Sequence, residues 1–453
     1  MLSQSIFFLH IRCKCKKVMV LHNGIYRYLD TIPLIGNLAI QHYELENGLQ
    51  VAIVIDRITP IFTFQTWYRT GSADEPAGKQ GLAHLFEHMM FRKTKTREMG
   101  EFDRQVNING GSDLNAYTSR DQTVYYFTFP NDKLVLAADL ESDRMVNLVI
   151  DEEMFETEKG AVLTEKQRGL DDPIRFLWEE VYKLAYTTHT YKYSVIGEMD
   201  SIKGFTVEEA LSFYDHFYAP NNALVIVVGD VEPGEAMNII VRKFGGYSPH
   251  EAISRKVTTE PAQTEPRSAA VTHPKATQKM LGKSWHIPNM LHNDYPALAM
   301  VGRLLTSGKT ALLTERLVNN AKVSELSADV YLGRDLGTFE LFTQLAPQTP
   351  FDEVETIFYS TAKELADENI SDDQMTIVKN NLMKETYDAA TTPSSLGQKI
   401  GDGFINTNDL AFQLRAIDRI NNVSKEDIGR VVNAYLLQGK ATTVQLTPES
   451  KPL

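Results

Sequence analysis

The hydrophobic and polar positions in the first half of the chain predict alternating strands and helices. Apolar runs flank Asn47-Gly48, a dipeptide typical of a tight hairpin turn. Runs rich in β-branched and aromatic residues predict strands, and runs with an apolar residue every three or four positions predict helices. Strands are expected at residues 43–45, 49–55, 62–68, 124–129 and 223–228, and helices from residue 78 and at 134–150, 158–165 and 207–217.

A second half with a similar alternation follows a linker. Residues 248–267 hold three prolines among many Ser, Thr and Glu residues, without periodicity, which is typical of a linker. We therefore predict domains at 36–247 and 268–453, preceded by a segment of undefined structure at 1–35. The strand-like and helix-like runs of the second half lie at residues 280–286, 295–305, 312–319, 338–345, 351–368, 372–389, 425–437 and 441–446.

The N-terminal segment does not define a compartment. A short apolar run at residues 2–11 precedes basic residues, which is the reverse of the order in a secretory signal. The run is also too short to span a bilayer, and we expect no integral membrane segment elsewhere. Cys13 and Cys15 are the two cysteines of the chain, so the core is expected to lack disulfides. Translation starting at Met19 is an alternative interpretation.

Composition narrows the classes of function. The 453 residues are 43% hydrophobic and 23% charged, which is ordinary for a globular protein. The formal net charge is -13, and an acidic protein does not attract phosphates, so we expect no nucleic-acid partner.

The most informative motif is His84-Leu85-Phe86-Glu87-His88, an H-x-x-E-H pattern. On a helix, His84 and His88 project from one face and can reach a single metal ion. Glu87 lies on nearly the same face and can take a proton from a water that the metal activates. The surrounding helix is strongly apolar, and buried charge is costly unless it is paired or bound to a metal. The motif therefore indicates a metal-dependent hydrolytic centre.

A third ligand is expected downstream. Glu158 and Glu165 are seven residues apart, two helical turns, so they share a face. Spacing alone does not decide which one binds the metal, and the other could orient a ligand from behind. A solvated acidic helix is an equally good interpretation of this stretch from the residues alone.

Several further segments accompany the motif, at residues 71–75, 81–89, 109–112, 115–119, 158–165, 213–222 and 225–230. Together they resemble the pitrilysin/insulinase family of zinc metallopeptidases, and the short bacterial two-domain type in particular. The resemblance implies His84, His88 and Glu165 as ligands of one Zn²⁺ ion, Glu87 as general base and Glu158 as a supporting residue. It also implies two related α+β domains, each a mostly antiparallel sheet with helices packed on it, closing as a clamshell around a peptide.

Asn115, Ala116 and Tyr117 are the expected contacts with the peptide substrate. They read as an edge strand, to which an extended peptide could add. An ordinary edge strand is the alternative, and the family resemblance favours substrate contact.

The second half departs from the family pattern. Active members also carry an Arg and a Tyr, seven residues apart, that hold the substrate carbonyl region. The matching positions here are Val318 and Glu325, which lack the donor and the charge for that role. We therefore predict a zinc-dependent endopeptidase that is the zinc-bearing subunit of a heterodimer, with a homologous subunit supplying the Arg/Tyr pair; a homodimer is the alternative. A scaffold subunit without peptidase activity is the alternative function, and manganese or cobalt are alternative metals.

Overall fold

The computed structural model describes residues 17–21, 24–251, 255 and 257–449. The apolar run at residues 2–11 and both cysteines lie outside these residues. The described part of the chain forms strands and helices in alternation. The strands are β1 (Lys17–Leu21), β2 (Gly24–Pro33), β3 (Ala39–Leu45), β4 (Gln50–Ile55), β5 (Ile61–Tyr68), β6 (Ser112–Thr118), β7 (Thr123–Pro130), β8 (Ala223–Gly229), β9 (Arg267–His273), β10 (Met280–Ile287), β11 (Val323–Leu332), β12 (Gly337–Leu345) and β13 (Thr442–Pro448).

The α-helices of the described residues lie between these strands along the chain. They are α1 (Leu82–Met89), α2 (Glu101–Ile108), α3 (Leu134–Asn147), α4 (Glu152–Leu170), α5 (Pro173–Ala185), α6 (Met199–Lys203), α7 (Val207–Phe217), α8 (Pro233–Phe244), α9 (Tyr295–Thr306), α10 (Phe351–Ala366), α11 (Asp372–Asp388), α12 (Pro393–Thr407), α13 (Ala416–Asn421) and α14 (Lys425–Val431). None of the described helices combines the length and the apolar character that crossing a bilayer requires.

The predicted hairpin at Asn47-Gly48 is present. Strands β3 and β4 pair antiparallel on either side of it, and Gly48 has a φ of 85°, which glycine adopts without steric cost. The helix predicted from residue 78 begins only at Leu82, because Gly81 adopts a φ of 108° that a right-handed helix cannot include.

Two sheets organise the described strands. The first has the order β1-β2-β3-β4-β8-β5-β7-β6, with β4 parallel to β8 and the other neighbours antiparallel. The second has the order β11-β12-β10-β13-β9, with β13 parallel to β9 and the other neighbours antiparallel.

The two sheets share one topology. Strands β4 to β8 of the first sheet occupy the same relative positions as β9 to β13 of the second, and in each set the first and last strands form the parallel pair. Two related, mostly antiparallel sheets with packed helices confirm the predicted α+β fold class. The shared order supports the duplication that the alternation of the two halves suggests.

The chain forms two compact units, and each draws on both halves of the sequence. The first contains the described residues up to Val162, with Val195–Arg255 and Tyr387–Leu414. The second contains Leu163–Ser194 and the described parts of Lys256–Thr386 and Arg415–Leu453. As a result, α12 packs on β5, β7 and β8 of the first sheet, while α5 packs on β9, β10 and β13 of the second. The linear division at residues 247 and 268 stays a prediction, and the compact units interleave along the chain.

Helix α12 lies directly on the first sheet because glycines face that sheet. A Cβ atom at Gly401 would lie 2.1 Å from the Trp67 ring, and one at Gly397 would lie 2.5 Å from the Gln65 side chain. The Gln65 amide donates a hydrogen bond to the carbonyl oxygen of Ser394 at 2.8 Å. The close approach therefore depends on the absence of side chains at two positions one turn apart.

We expect Gly401→Ala to lower the free energy of unfolding by about 2–3 kcal/mol, because the added methyl group must displace the Trp67 ring or the helix. Urea denaturation followed by tryptophan fluorescence measures this loss. Gly160→Ala in α4 is the matched control: no atom lies within 4 Å of its added Cβ, so it should be neutral or stabilising by about 0.5–1 kcal/mol. A Gly401→Ala variant as stable as the wild type would contradict the packing.

Candidate metal centre

Helix α1 carries the H-x-x-E-H motif on its less buried side. His84, Glu87 and His88 are half-buried, and residues three and four apart share one face of a helix. The apolar residues of the helix point into the core and are Leu82, Ala83, Leu85, Phe86 and Met89. The three polar side chains therefore lie together on the accessible face, as the spacing predicts.

Backbone contacts and a buried carboxylate fix the start of α1. A Cβ atom at Gly81 would lie 2.5 Å from the carbonyl oxygen of Ile196. The Glu75 carboxylate accepts hydrogen bonds from the N–H groups of Gly81 at 2.9 Å and Ala83 at 2.8 Å. Burial raises the pKa of Glu75 well above its usual value, and the two N–H groups oppose that rise. Glu75 thus satisfies donors that the first turn of a helix leaves open.

The two histidines and Glu165 bring their potential ligand atoms together. One nitrogen of each imidazole and one carboxylate oxygen of Glu165 all lie within 4.8 Å of one another, the one such group in the described part of the chain. Burial lowers the pKa of His84 to about 4, and the nearby His88 contributes. A neutral imidazole is the form that binds a metal. Two nitrogens and one oxygen match the three protein ligands of a catalytic zinc site.

Glu158 lies two turns before Glu165 on α4 and contacts other residues. Its buried carboxylate oxygens lie 2.8 Å from Nε and 3.0 Å from Nη2 of Arg92, and one of them lies 3.6 Å from Nδ1 of His88. Burial raises the pKa of Glu158, but the contacts with His88 and Arg92 outweigh it and lower the pKa. A carboxylate beside the second nitrogen of a ligand histidine is the usual way in which the ring of such a ligand is oriented.

We expect Glu158→Gln to weaken zinc binding roughly 10- to 100-fold, because the amide no longer carries the charge that holds the His88 ring. Titration with zinc in the presence of a competing chelator measures the dissociation constant. Glu156→Gln is the matched control: Glu156 is exposed on the same helix and pairs with Lys159, so zinc affinity should not change. Unchanged affinity in Glu158→Gln would contradict the supporting role.

The predicted substrate residues lie in β6, the last strand of the first sheet, which pairs with β7. Tyr117 packs edge-to-face on Trp67 and donates a hydrogen bond to Gln398 of α12 at 2.9 Å. Ala116 is buried, and its N–H donates to Oδ1 of Asn115. Any contact of Tyr117 with an extended peptide would therefore involve its backbone and not its phenol.

The structure describes Val318 and Glu325, the two positions at which the second half departs from the family pattern. Val318 ends a π-helical turn and packs against the apolar core of the second sheet, and Glu325 is exposed on β11. The nearby Arg316 forms a two-pronged ion pair with Glu364, at 2.9 and 2.6 Å. Its guanidinium is thus already committed to a neighbouring helix, and Arg316 is a poor substitute for the missing arginine.

Three residues at the centre are missing from the sequence prediction: Glu75, Arg92 and Thr118. The Thr118 hydroxyl donates a hydrogen bond to Oε2 of Glu87 at 2.7 Å. Glu75 and Thr118 lie within the segments that carry the family resemblance, and Arg92 lies four residues after His88, just beyond the end of α1. Those positions are the sequence features that could have pointed to them.

Comparison with known proteins agrees with this picture. The family described as insulinase (peptidase family M16) matches residues 50–198, and the one described as peptidase M16 inactive domain matches residues 204–382. Zinc protease PqqE of Helicobacter pylori is 28% identical over 410 residues, covering 89% of this chain and 92% of that protein. A probable mitochondrial-processing peptidase subunit beta of Arabidopsis thaliana is 25% identical over 407 residues, covering 86% of this chain and 75% of that protein.

Solved structures show the same fold. The crystal structure of a protease from Helicobacter pylori has a TM-score of 0.86 and 27% identity, covering 90% of this chain and 99% of that chain. The crystal structure of a peptidase M16 inactive domain from Pseudomonas fluorescens has a TM-score of 0.81 at 18% identity, covering 91% of this chain and 99% of that chain, and so shows the fold alone.

The fold and the H-x-x-E-H helix define a two-domain protein of the metallopeptidase class. The chain belongs to the insulinase/pitrilysin family of peptidases, in its short two-domain form.

Proposed function

We propose that this chain is a zinc-dependent endopeptidase that hydrolyses extended peptides or unfolded segments. The observation that carries the proposal is that one potential ligand atom each of His84, His88 and Glu165 lie within 4.8 Å of one another. The two histidines share their face of α1 with Glu87. The donor set suits one zinc ion per chain, and the names of the relatives, which include zinc proteases, support that metal. Manganese and cobalt stay alternatives, because nitrogen and oxygen ligands do not select a metal by affinity alone.

The residues of the chain divide the chemistry between them. When bound, zinc supplies Lewis-acid activation of a water molecule and of the scissile carbonyl. Glu87 takes the proton from that water and later donates it to the leaving amine nitrogen. Oε2 of Glu87 accepts a hydrogen bond from the Thr118 hydroxyl, which fixes the orientation of the carboxylate. Glu158 holds the His88 ring in the orientation that binding requires.

The substrate binds, in this proposal, along the outer edge of β6. An extended peptide gains main-chain hydrogen bonds when it adds to the last strand of a sheet. Asn115 to Tyr117 supply that edge, and the same strand carries Thr118 beside Glu87. A folded protein cannot present such a strand without unfolding locally, so the preferred substrates are unstructured.

The second half supports a partner subunit. Val318 and Glu325 occupy the positions where a carbonyl-binding pair is expected, and neither can donate to an oxygen that gains negative charge. A relative named as a processing-peptidase subunit supports a heterodimeric arrangement. We infer that a homologous chain supplies the missing Arg/Tyr pair, with a homodimer as the alternative.

Hydrolysis of an unstructured quenched-fluorescence peptide tests the proposal. The zinc-loaded chain should cleave it weakly alone and faster when the homologous partner chain is added, and the metal-stripped chain should be inactive. A chain that binds zinc and cleaves nothing, alone or with that partner, would favour the scaffold function. Full activity without any partner would overturn the heterodimer.

A further inference from the structure

The side chains on the two faces of strand β6 contact different helices. In the antiparallel pair with β7, Tyr117 lies opposite Val124 and Thr118 lies opposite Thr123. Side chains alternate along a strand, so Thr118 points away from the face on which Tyr117 meets α12. It points toward α1, where its hydroxyl meets the Glu87 carboxylate.

The position of Thr118 is held on two sides. The hairpin that follows it is closed by the N–H of Ser119 donating to the carbonyl oxygen of Gln122 at 2.8 Å. The loop before α1 bonds to the same hairpin, because the N–H of Ser72 donates to Ser119 at 3.1 Å and that of Ala73 donates to Arg120 at 2.8 Å. The hydroxyl is therefore presented from a rigid framework.

A bulge adjusts the strand just before this point. The pairing of β6 with β7 shifts between Ser112 and Asn115, and Asp113 between them has a φ of 55°. A bulge re-aims the side chains that follow it. In this strand it sets the register in which Ala116 and Thr118 face the metal-site helix.

We propose that Thr118 is a positioning residue for Glu87. A glutamate side chain has several rotamers of similar energy, and the 2.7 Å hydrogen bond to Oε2 selects one of them. Because Thr118 is the last residue of the strand that we propose docks the peptide, one element aligns both the substrate and the general base. The inference rests on the proposed function of Glu87.

The test compares Thr118→Val, which keeps the shape and loses the hydroxyl, with Thr118→Ser, which keeps the hydroxyl. We expect Thr118→Val to lower kcat roughly 10- to 100-fold with unchanged KM and zinc content, and Thr118→Ser to retain most of the wild-type kcat. Thr63→Val is the matched control, because Thr63 loses a hydroxyl that bonds to the backbone of Phe127 in the same sheet. Its kcat should not change.

A second readout is independent of activity. Crystal structures of the zinc-loaded wild type and Thr118→Val should show the Glu87 carboxylate in one position in the former and displaced or in several positions in the latter. An unchanged Glu87 position, an unchanged kcat, or equal loss in the Val and Ser variants would overturn the inference. If the wild type cleaves no peptide, alone or with the partner chain, the proposed function fails, and the position of Glu87 still decides the role of Thr118.

Discussion

Glu87→Gln should retain zinc and lose peptidase turnover by roughly 10²- to 10⁴-fold, the usual contribution of a general base. The amide has the shape of the carboxylate, and its oxygen can still accept the hydrogen bond from Thr118. It cannot take a proton from a water molecule, however, and it cannot return one to the leaving amine. The ligands of the metal are untouched, so binding and catalysis should separate in this variant.

Rates with the quenched-fluorescence peptide and zinc content by elemental analysis measure the two effects. Glu153→Gln is a suitable control, since Glu153 is exposed at the start of α4 and should keep full activity. Turnover close to that of the wild type in Glu87→Gln would show that another group accepts the proton. Loss of zinc together with turnover would show that Glu87 is a ligand.

Local patterns in the sequence predict the motif helix and most strands, but they do not predict which sheet a helix covers. Helices α5 and α12 are absent from the sequence prediction, and these are the two that cross to the sheet of the other half. Gly397 and Gly401 weaken the helical pattern of α12 because glycine disfavours helices. These glycines allow close contact with Gln65 and Trp67, which lie more than 300 positions earlier in the chain, so a local pattern does not reveal the contact.

At the site, too, spacing within one helix predicts some residues, whereas the roles of others depend on contacts between helices. His84, Glu87 and His88 follow from spacing within one helix. Glu158 and Glu165 share a face of α4, so spacing alone cannot separate their roles. In the structure the side chain of Glu165 reaches the two histidines, whereas that of Glu158 meets Arg92. Only the path of α4 past α1 distinguishes them.

The helices at equivalent positions of the two related sheets, α1 and α9, differ in what they present. In the first, the segment between β5 and β6 carries α1 with its H-x-x-E-H motif. In the second, the segment between β10 and β11 carries α9, which has no such motif and packs close to its edge strand. A Cβ atom at Gly302 would lie 2.6 Å from the carbonyl oxygen of Ala328, and the N–H of Ala328 donates to the hydroxyl of Thr306. Helix α9 thus packs closely against the edge strand β11. Helix α1, at the equivalent position of the first sheet, presents polar side chains instead.

Replacing a ligand should remove the metal and not merely slow the reaction. We expect Glu165→Ala, His84→Ala and His88→Ala each to weaken zinc binding on the order of 10³-fold, because each removes one of three protein ligands from a site built on all three. Each side chain is half-buried, so the fold should survive, which far-ultraviolet circular dichroism verifies. Chelator competition then gives the dissociation constants.

The comparison of Glu165→Ala with Glu158→Ala is the sharpest part of this test, because both residues lie on one face of one helix. Glu165→Ala should lose zinc at concentrations where Glu158→Ala still binds it, since Glu158 acts through the His88 ring at 3.6 Å. The reverse order would exchange the two roles and make Glu158 the ligand. Equal and small losses in both would leave the histidines without a carboxylate ligand and would contradict the proposed centre.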